Sequence, residues 1–221
     1  MSAPAPSCAG RKGTFISFEG GDGTGKSTQV KRLAARLRAL GREVVLTREP
    51  GGSPGAEAIR ALLVAGDKDR WSPMTEALLM SAARRDLLET VIWPALRRDA
   101  VVITDRFADS TMAYQGRAGG LGAETVEALC DLVTSSSLPH STVILDVPVE
   151  ESLARAGNNS GERRFEDKGA DYHERVRRAY LDIAQAAPER CAVIDARGSV
   201  DDVAARIEAA LRKRLPGLFG D

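Results

Sequence analysis

The stretch Thr14-Phe15-Ile16-Ser17-Phe18-Glu19-Gly20-Gly21-Asp22-Gly23-Thr24-Gly25-Lys26-Ser27-Thr28-Gln29-Val30-Lys31 decides the architecture. Residues 14–18 are an apolar run rich in strand formers. Gly20, Gly21, Gly23 and Gly25 then let the backbone turn back on itself, and Lys26-Ser27 open a helix. The spacing Gly20-x-x-x-x-Gly25-Lys26-Ser27 between a strand and a helix is that of a P-loop. In such a loop bare backbone N–H groups and a helix N-terminus face phosphates, the lysine supplies a point charge, and the serine hydroxyl is offered to Mg²⁺. No G-x-G-x-x-G can be laid on residues 20–28, so the loop is read as binding an NTP through Gly20 to Thr28, not a dinucleotide. Asp22 is out of place there: about 5 Å from a phosphate charge, a carboxylate costs roughly 3 kcal/mol at an effective dielectric near 20. It is expected to face a cation or a neutral group of a second substrate.

Outward from this segment, β-branched runs recur at 14–19, 42–47, 100–105, 141–146 and 191–196, separated by stretches long enough for helices. Val101-Val102-Ile103 and Val143-Ile144-Leu145 are apolar without alternation, so they are buried on both faces. That predicts an α/β domain with a five-stranded parallel sheet covered by helices on both sides. Ligands of such sheets gather at the carboxyl ends of the strands, where Glu19, Arg48, Asp105, Arg106 and Asp146 fall. Helical spacing of apolar residues predicts helices over 27–40, from 75 to about 91, up to about 187, and over 201–215.

Arg48-Glu49-Pro50-Gly51-Gly52 follows the second strand as a tight turn, with Arg48 at its base placed to hold an anion. Met80 and Arg84, one helical turn apart, could grip a planar base. Asp105 ends a buried strand where a P-loop protein places a carboxylate for Mg²⁺, and Arg106 is a second phosphate fork. Residues 116–122 read as a mobile glycine loop. Residues 157–169, polar and glycine-bounded with Arg163-Arg164, have the composition of a lid.

With 31 Lys+Arg against 31 Asp+Glu, no global field recruits nucleic acid or an anionic membrane. Three scattered cysteines, without C-x-x-C, point to a reducing, cytoplasmic location with no disulfide or zinc framework. No run approaches 18 apolar residues, so no membrane span is expected. Residues 1–12 read as a loose tail, 13–215 as one domain and 216–221 as a C-terminal tail.

Four motifs in order, Phe-Glu-Gly-Gly-Asp-Gly-Thr-Gly-Lys-Ser-Thr, Arg-Glu-Pro-Gly-Gly, Asp-Arg-Phe with Ser110-Thr111-x-Ala113-Tyr114-Gln115-Gly116, and Arg164-Phe165-Glu166, resemble those of thymidylate kinases over about residues 13–213. The resemblance implies transfer of the γ-phosphoryl group of ATP to dTMP with Mg²⁺, a step toward dTTP, in a homodimer with a mobile lid. Carried onto this chain, it puts Lys26 and the loop at ATP and Ser27 and Asp105 at Mg²⁺. Asp22 meets the deoxyribose 3′-hydroxyl side, Arg48 and Arg106 the dTMP phosphate, and Arg84 the thymine edge. Met80, Ser110, Thr111, Tyr114 and Gln115 complete the acceptor site, with Tyr114 where a ribose 2′-hydroxyl would be. Thr24 stands where one branch of the family carries an arginine. That implies the bacterial branch, whose catalytic arginine comes from the lid, here Arg164.

From the residues alone two other readings stay open: a different P-loop mononucleotide or deoxynucleoside kinase, and a nucleotide-switched module that hydrolyses NTP. Arg48, Arg84 and Arg106 exceed what a hydrolase needs and favour a second anionic ligand.

Overall fold

The computed structural model describes residues 12–67, 70–156 and 169–220. Strands β1 (Thr14–Glu19), β2 (Val44–Arg48), β3 (Val101–Asp105), β4 (Ser141–Asp146) and β5 (Cys191–Asp195) form one sheet in the order β2-β3-β1-β4-β5, every pair parallel. The register sets Phe18 beside Asp105 and Asp105 beside Arg48, so three strands end in one row. Glu19, Arg48, Asp105 and Arg106 therefore meet at a single edge.

Side chains alternate between two apolar layers, as the pleat requires. On one face Ile16, Phe18, Ile103, Val143 and Leu145 pack with Val30, Leu33 and Leu37 of α1 (Lys26–Ala39), and with residues of the C-terminal helix. On the other, Phe15 and Val102 meet Leu87, Leu88, Ile92 and Leu96, while Ile144 meets Tyr172, Val176 and Tyr180. Each such fully buried side chain contributes about 1.5–3 kcal/mol, and this two-sided burial is what holds the strand ends rigid under the site.

The connections depart from the sequence expectations in four places. The turn after β2 runs straight into α2 (Pro54–Val64), because Ser53 accepts a hydrogen bond from Ala56 N and Pro54 sits where its missing N–H costs nothing. Next, α3 (Pro73–Leu87) starts earlier than expected, capped by Ser72, and passes through a π-helical turn, Leu88–Ile92, into α4 (Trp93–Arg97). Pro94 has no N–H for the ladder and its ring would meet the carbonyl of Thr90, so the helix widens there. Third, α5 (Ala108–Thr111) continues as a π-helical segment, Met112–Ala118, so the glycine-rich stretch begins inside a helix. Gly116 is buried there, where a Cβ would stand 3.2 Å from both Met112 Sδ and Val126 Cγ2 of α6 (Ala123–Thr134). The fourth departure is at the C-terminal end: helices α7 (Val149–Ala156), α8 (Ala170–Ala186) and α9 (Val200–Arg214) complete the order, and beyond α9 Leu218 and Phe219 are buried in the α1 layer. Leu218 and Phe219 thus extend the core instead of trailing from it.

Candidate active site

The P-loop is preformed. Gly20 has φ 129°, and a Cβ there would stand 2.5 Å from Leu145 O, so the loop can pass β4 only with glycine. Lys26 is buried and its Nζ donates to Gly20 O (3.1 Å) and Gly21 O (2.7 Å), folding the loop around the ammonium. Burial and the neighbouring Arg106 pull Lys26 down to about 8, against Asp105, Asp22 and Glu19. An incoming phosphate would supply the anion this lysine lacks. Ser27 Oγ donates to Asp105 Oδ2 at 2.7 Å, joining the first turn of α1 to the end of β3.

Immediately after β3, Arg106 has φ 72°, a conformation costing a non-glycine residue about 1–3 kcal/mol. Three bonds hold this corner: Arg106 N to Phe18 O (2.9 Å), Thr104 Oγ1 to Arg106 O (2.9 Å) and Phe107 N to Glu19 Oε1 (2.7 Å). The corner turns the guanidinium back over the loop. Its Nη2 donates to Asp22 Oδ1 (2.5 Å) and Tyr114 Oη (3.1 Å), and the Tyr114 ring lies 5.0 Å beneath it. Nη1 lies within reach of Gly20 O (3.1 Å), Ser110 Oγ and Tyr180 Oη (both 3.2 Å). Burial alone would raise Asp22, but Arg106 and Lys26 outweigh it and hold the carboxyl below its ordinary value. Burial pushes the Tyr114 phenol well up, so it stays a neutral hydroxyl.

Farther from the loop, Arg84 of α3 is 1% exposed, a depth at which a charge must be paired. Its Nε donates to Glu49 Oε2 (2.9 Å) and its Nη2 to Phe107 O (3.1 Å) and Thr111 Oγ1 (2.9 Å). Burial pushes Glu49 up, and Arg84 offsets part of that. Within this pair two buried polar atoms are left over: Arg84 Nη1 and Glu49 Oε1 have no hydrogen-bond partner. Gln115 Nε2 donates to Glu76 Oε2 at 3.3 Å. On the open side Arg48 pairs with Glu57 (3.0 Å), whose Oε1 also accepts from Gly52 N (2.8 Å).

These groups line one cavity of about 530 Å³. Of the residues singled out in the sequence, Asp22, Gly23, Gly25, Lys26, Ser27 and Thr28 form its loop wall. Arg48, Met80 and Arg84 face it from β2 and α3, and Asp105, Arg106, Ser110, Thr111, Tyr114 and Gln115 lie between. Gly20, Gly21 and Thr24 do not line it; Thr24 Oγ1 donates to Gly21 O (2.9 Å) on the loop's other side. Arg164, Arg163 and most of the expected lid lie outside the described residues.

Sequence reading missed Glu49, Arg60, Val64 and Arg155 on the cavity wall, and Tyr180 beneath it. Arg60 and Val64 share a helical face one turn apart, a signal that recognition of α2 would have exposed. Tyr180 carried none. Among the described residues no three His, Cys, Asp or Glu side chains gather as a metal cluster, and no helix is long and apolar enough to cross a membrane.

One cavity thus joins a phosphate loop to a second pole of arginines and a buried, half-satisfied ion pair. Comparison with known proteins agrees with a two-substrate site. The family model described as thymidylate kinase matches residues 18–207. The chain is 57% identical over 204 residues to the thymidylate kinase of Caulobacter vibrioides, covering 92% of this chain and 98% of that protein. It is 53% identical over 200 residues to the thymidylate kinase of Dinoroseobacter shibae, covering 90% and 96%. A crystal structure of thymidylate kinase from Ehrlichia chaffeensis superposes with a TM-score of 0.75 at 34% identity, over 90% of this chain and 98% of that one. On the family-model match over residues 18–207 and the identity across most of its length, this chain belongs to the thymidylate kinase family.

Proposed function

We propose that the cavity holds ATP and dTMP together, phosphate to phosphate, and that the chain moves the γ-phosphoryl group of ATP to dTMP, a step toward dTTP. The observation that carries this reading is the continuity of one cavity from Lys26 at the loop to the unpartnered Arg84 Nη1. An anion site at one end and a buried donor at the other suit a donor phosphate chain and a planar base.

In this reading the loop N–H groups and Lys26 hold the ATP phosphates, and Arg48 and Arg106 hold the phosphate of dTMP. Arg84 Nη1 donates to a base carbonyl, with Glu49 and Thr111 fixing its plane. Met80 packs on the base, and Gln115 and Ser110 close the site. Asp22 and Tyr114, already bonded to each other at 3.3 Å, border the sugar, so that a ribose 2′-hydroxyl would meet the phenol. Transfer then needs positioning and charge stabilisation, and the arginines and Lys26 supply both.

The hydroxyl of Ser27 beside the carboxylate of Asp105, facing phosphate oxygens, is an all-oxygen donor set that fits Mg²⁺. When bound, the ion would neutralise charge on the ATP phosphates. Arg164 would complete the site from the lid. Exposed Leu132 and Leu138, at the end of α6 and just beyond it, suit a homodimer contact, and the cysteine pattern suits work in the cytoplasm. Coupled assays of ADP release with ATP and a panel of dTMP, dUMP, dCMP, dGMP and thymidine test the reading. Turnover greatest with dTMP supports it; equal turnover across the bases would remove the role given to Arg84.

A further inference from the structure

Glu19 ends β1 with no exposed surface, directly before the loop, and does not line the cavity. Its carboxyl nevertheless collects three donors: Phe107 N at Oε1 (2.7 Å), and Ser110 Oγ (2.6 Å) and Tyr180 Oη (3.1 Å) at Oε2. All three belong to the surroundings of Arg106. Phe107 follows it in the chain, and the hydroxyls of Ser110 and Tyr180 are the two that stand 3.2 Å from Arg106 Nη1.

A hydroxyl has one proton. With Glu19 ionised, Ser110 and Tyr180 each spend theirs on it, and their remaining lone pairs, which face each other across 2.9 Å, are met by the guanidinium, which can only donate. Glu19 thus dictates the polarity of both contacts and, through Phe107 N, the left-handed corner that aims the side chain. The arrangement is held from behind as well, because Asp109, next to Ser110 on α5, pairs with Arg190 at 2.6 and 2.9 Å. Burying a carboxyl here is costly: desolvation and the nearby Asp109 push Glu19 up to about 8, against Ser110, Arg106 and Phe107. An apolar side chain would avoid the cost but offers no acceptor, and a glutamine offers one oxygen where two are used.

We propose that Glu19 is a positioning residue for the acceptor phosphate: by accepting from Phe107, Ser110 and Tyr180 it fixes the backbone and the guanidinium direction of Arg106. The inference rests on the assignment of Arg106 to the phosphate of dTMP. Glu19 touches neither substrate, so its effect is confined to ligands that carry that phosphate.

Calorimetric titration of the full chain with dTMP, thymidine and ATP at pH 9, where Glu19 is ionised, separates this role from a merely structural one. In Glu19→Gln the amide sets a donor against the hydroxyls or, flipped, against Phe107 N. The variant is expected to bind dTMP about tenfold more weakly, the loss of one hydrogen bond to a charged group, with thymidine and ATP unchanged. Tyr180→Phe, which keeps the ring packing, is expected to show the same selective loss at about threefold, and decides the matter if Glu19→Gln fails to fold. Equal weakening of dTMP and thymidine, or no weakening of either, overturns the proposal. Arg106→Lys is the control for the underlying assignment. If it shows no selective loss, the phosphate role of Arg106 falls and the proposal with it; if it does while Glu19→Gln and Tyr180→Phe do not, only the role of Glu19 falls.

Discussion

Arg106 Nη2 stands 2.5 Å from Asp22 Oδ1, and this pair resolves how a carboxylate is tolerated inside a phosphate-binding loop. The side chains are only 17% and 25% exposed, so the acid is neutralised within the protein before any nucleotide arrives. The same contact draws Arg106 across from the end of β3 to the loop.

Asp22→Asn should therefore act with opposite signs on the two substrates. Removing an anion from the loop is expected to leave ATP binding equal or tighter. Loss of the ion pair frees Arg106 from its position and should weaken dTMP by about tenfold. Separate titrations with each nucleotide check this; weakening of both would show that Asp22 supports the loop itself.

Arg84 and Glu49 form a buried pair whose members cannot be removed singly without stranding a charge. Arg84→Met should destabilise the fold by about 3–5 kcal/mol, and Glu49→Gln in that background should recover part of the loss. Urea unfolding of the two single variants and the double variant measures the coupling. Additive losses would mean that the pair contributes through packing alone.

Glu19 predicts a stability trend with pH. Its folded-state value of about 8 lies above the ordinary 4.5, so the folded chain holds this proton more tightly than the unfolded one. The resulting stability is fully present below pH 4.5 and is lost as pH rises to 8. Melting temperatures of the wild type should fall across that window relative to Glu19→Gln, whose amide does not titrate. Parallel curves would contradict the assignment.

The sheet was legible because Val101-Val102-Ile103 and Val143-Ile144-Leu145 have no polar alternation, which only a strand buried on both faces permits. The phosphate loop was legible because glycine spacing is a backbone requirement, independent of the rest of the chain. The turn at residues 49–53 concealed α2, since proline and glycine dominate its local signal while the cap at Ser53 is a single side chain. Widening of the helix ahead of Pro94 and burial of Gly116 depend on neighbours distant in sequence. The positive φ of Arg106 and the role of Tyr180 are equally tertiary, because Glu19 reaches both across 87 and 161 residues. For Asp22 the sequence left open a cation or a neutral group of a second substrate, and that the cation is Arg106 followed only from the fold.

Thr24 gives the loop no arginine, and the family resemblance assigns the catalytic arginine to Arg164 and no role to its neighbour Arg163. An arginine that reaches the transferred group only on closure can contribute about 10³ to 10⁵ in kcat with little effect on ground-state binding. Arg164→Ala should lower kcat by orders of magnitude at nearly unchanged dTMP affinity, and Arg163→Ala far less. Steady-state kinetics with dTMP titrations distinguish the two; equal small losses would make them a solvated charge pair, and a larger loss at Arg163 would exchange their roles.

The most direct test is the rate of ADP formation at fixed ATP and Mg²⁺ as dTMP is added, with Lys26→Ala as the control. A rate near zero without dTMP, rising to saturation with one dTDP formed per ADP, and lost by at least about 10²-fold in Lys26→Ala, is the expected result. ADP formation that is independent of dTMP would make the chain a nucleotide hydrolase and contradict the two-substrate site.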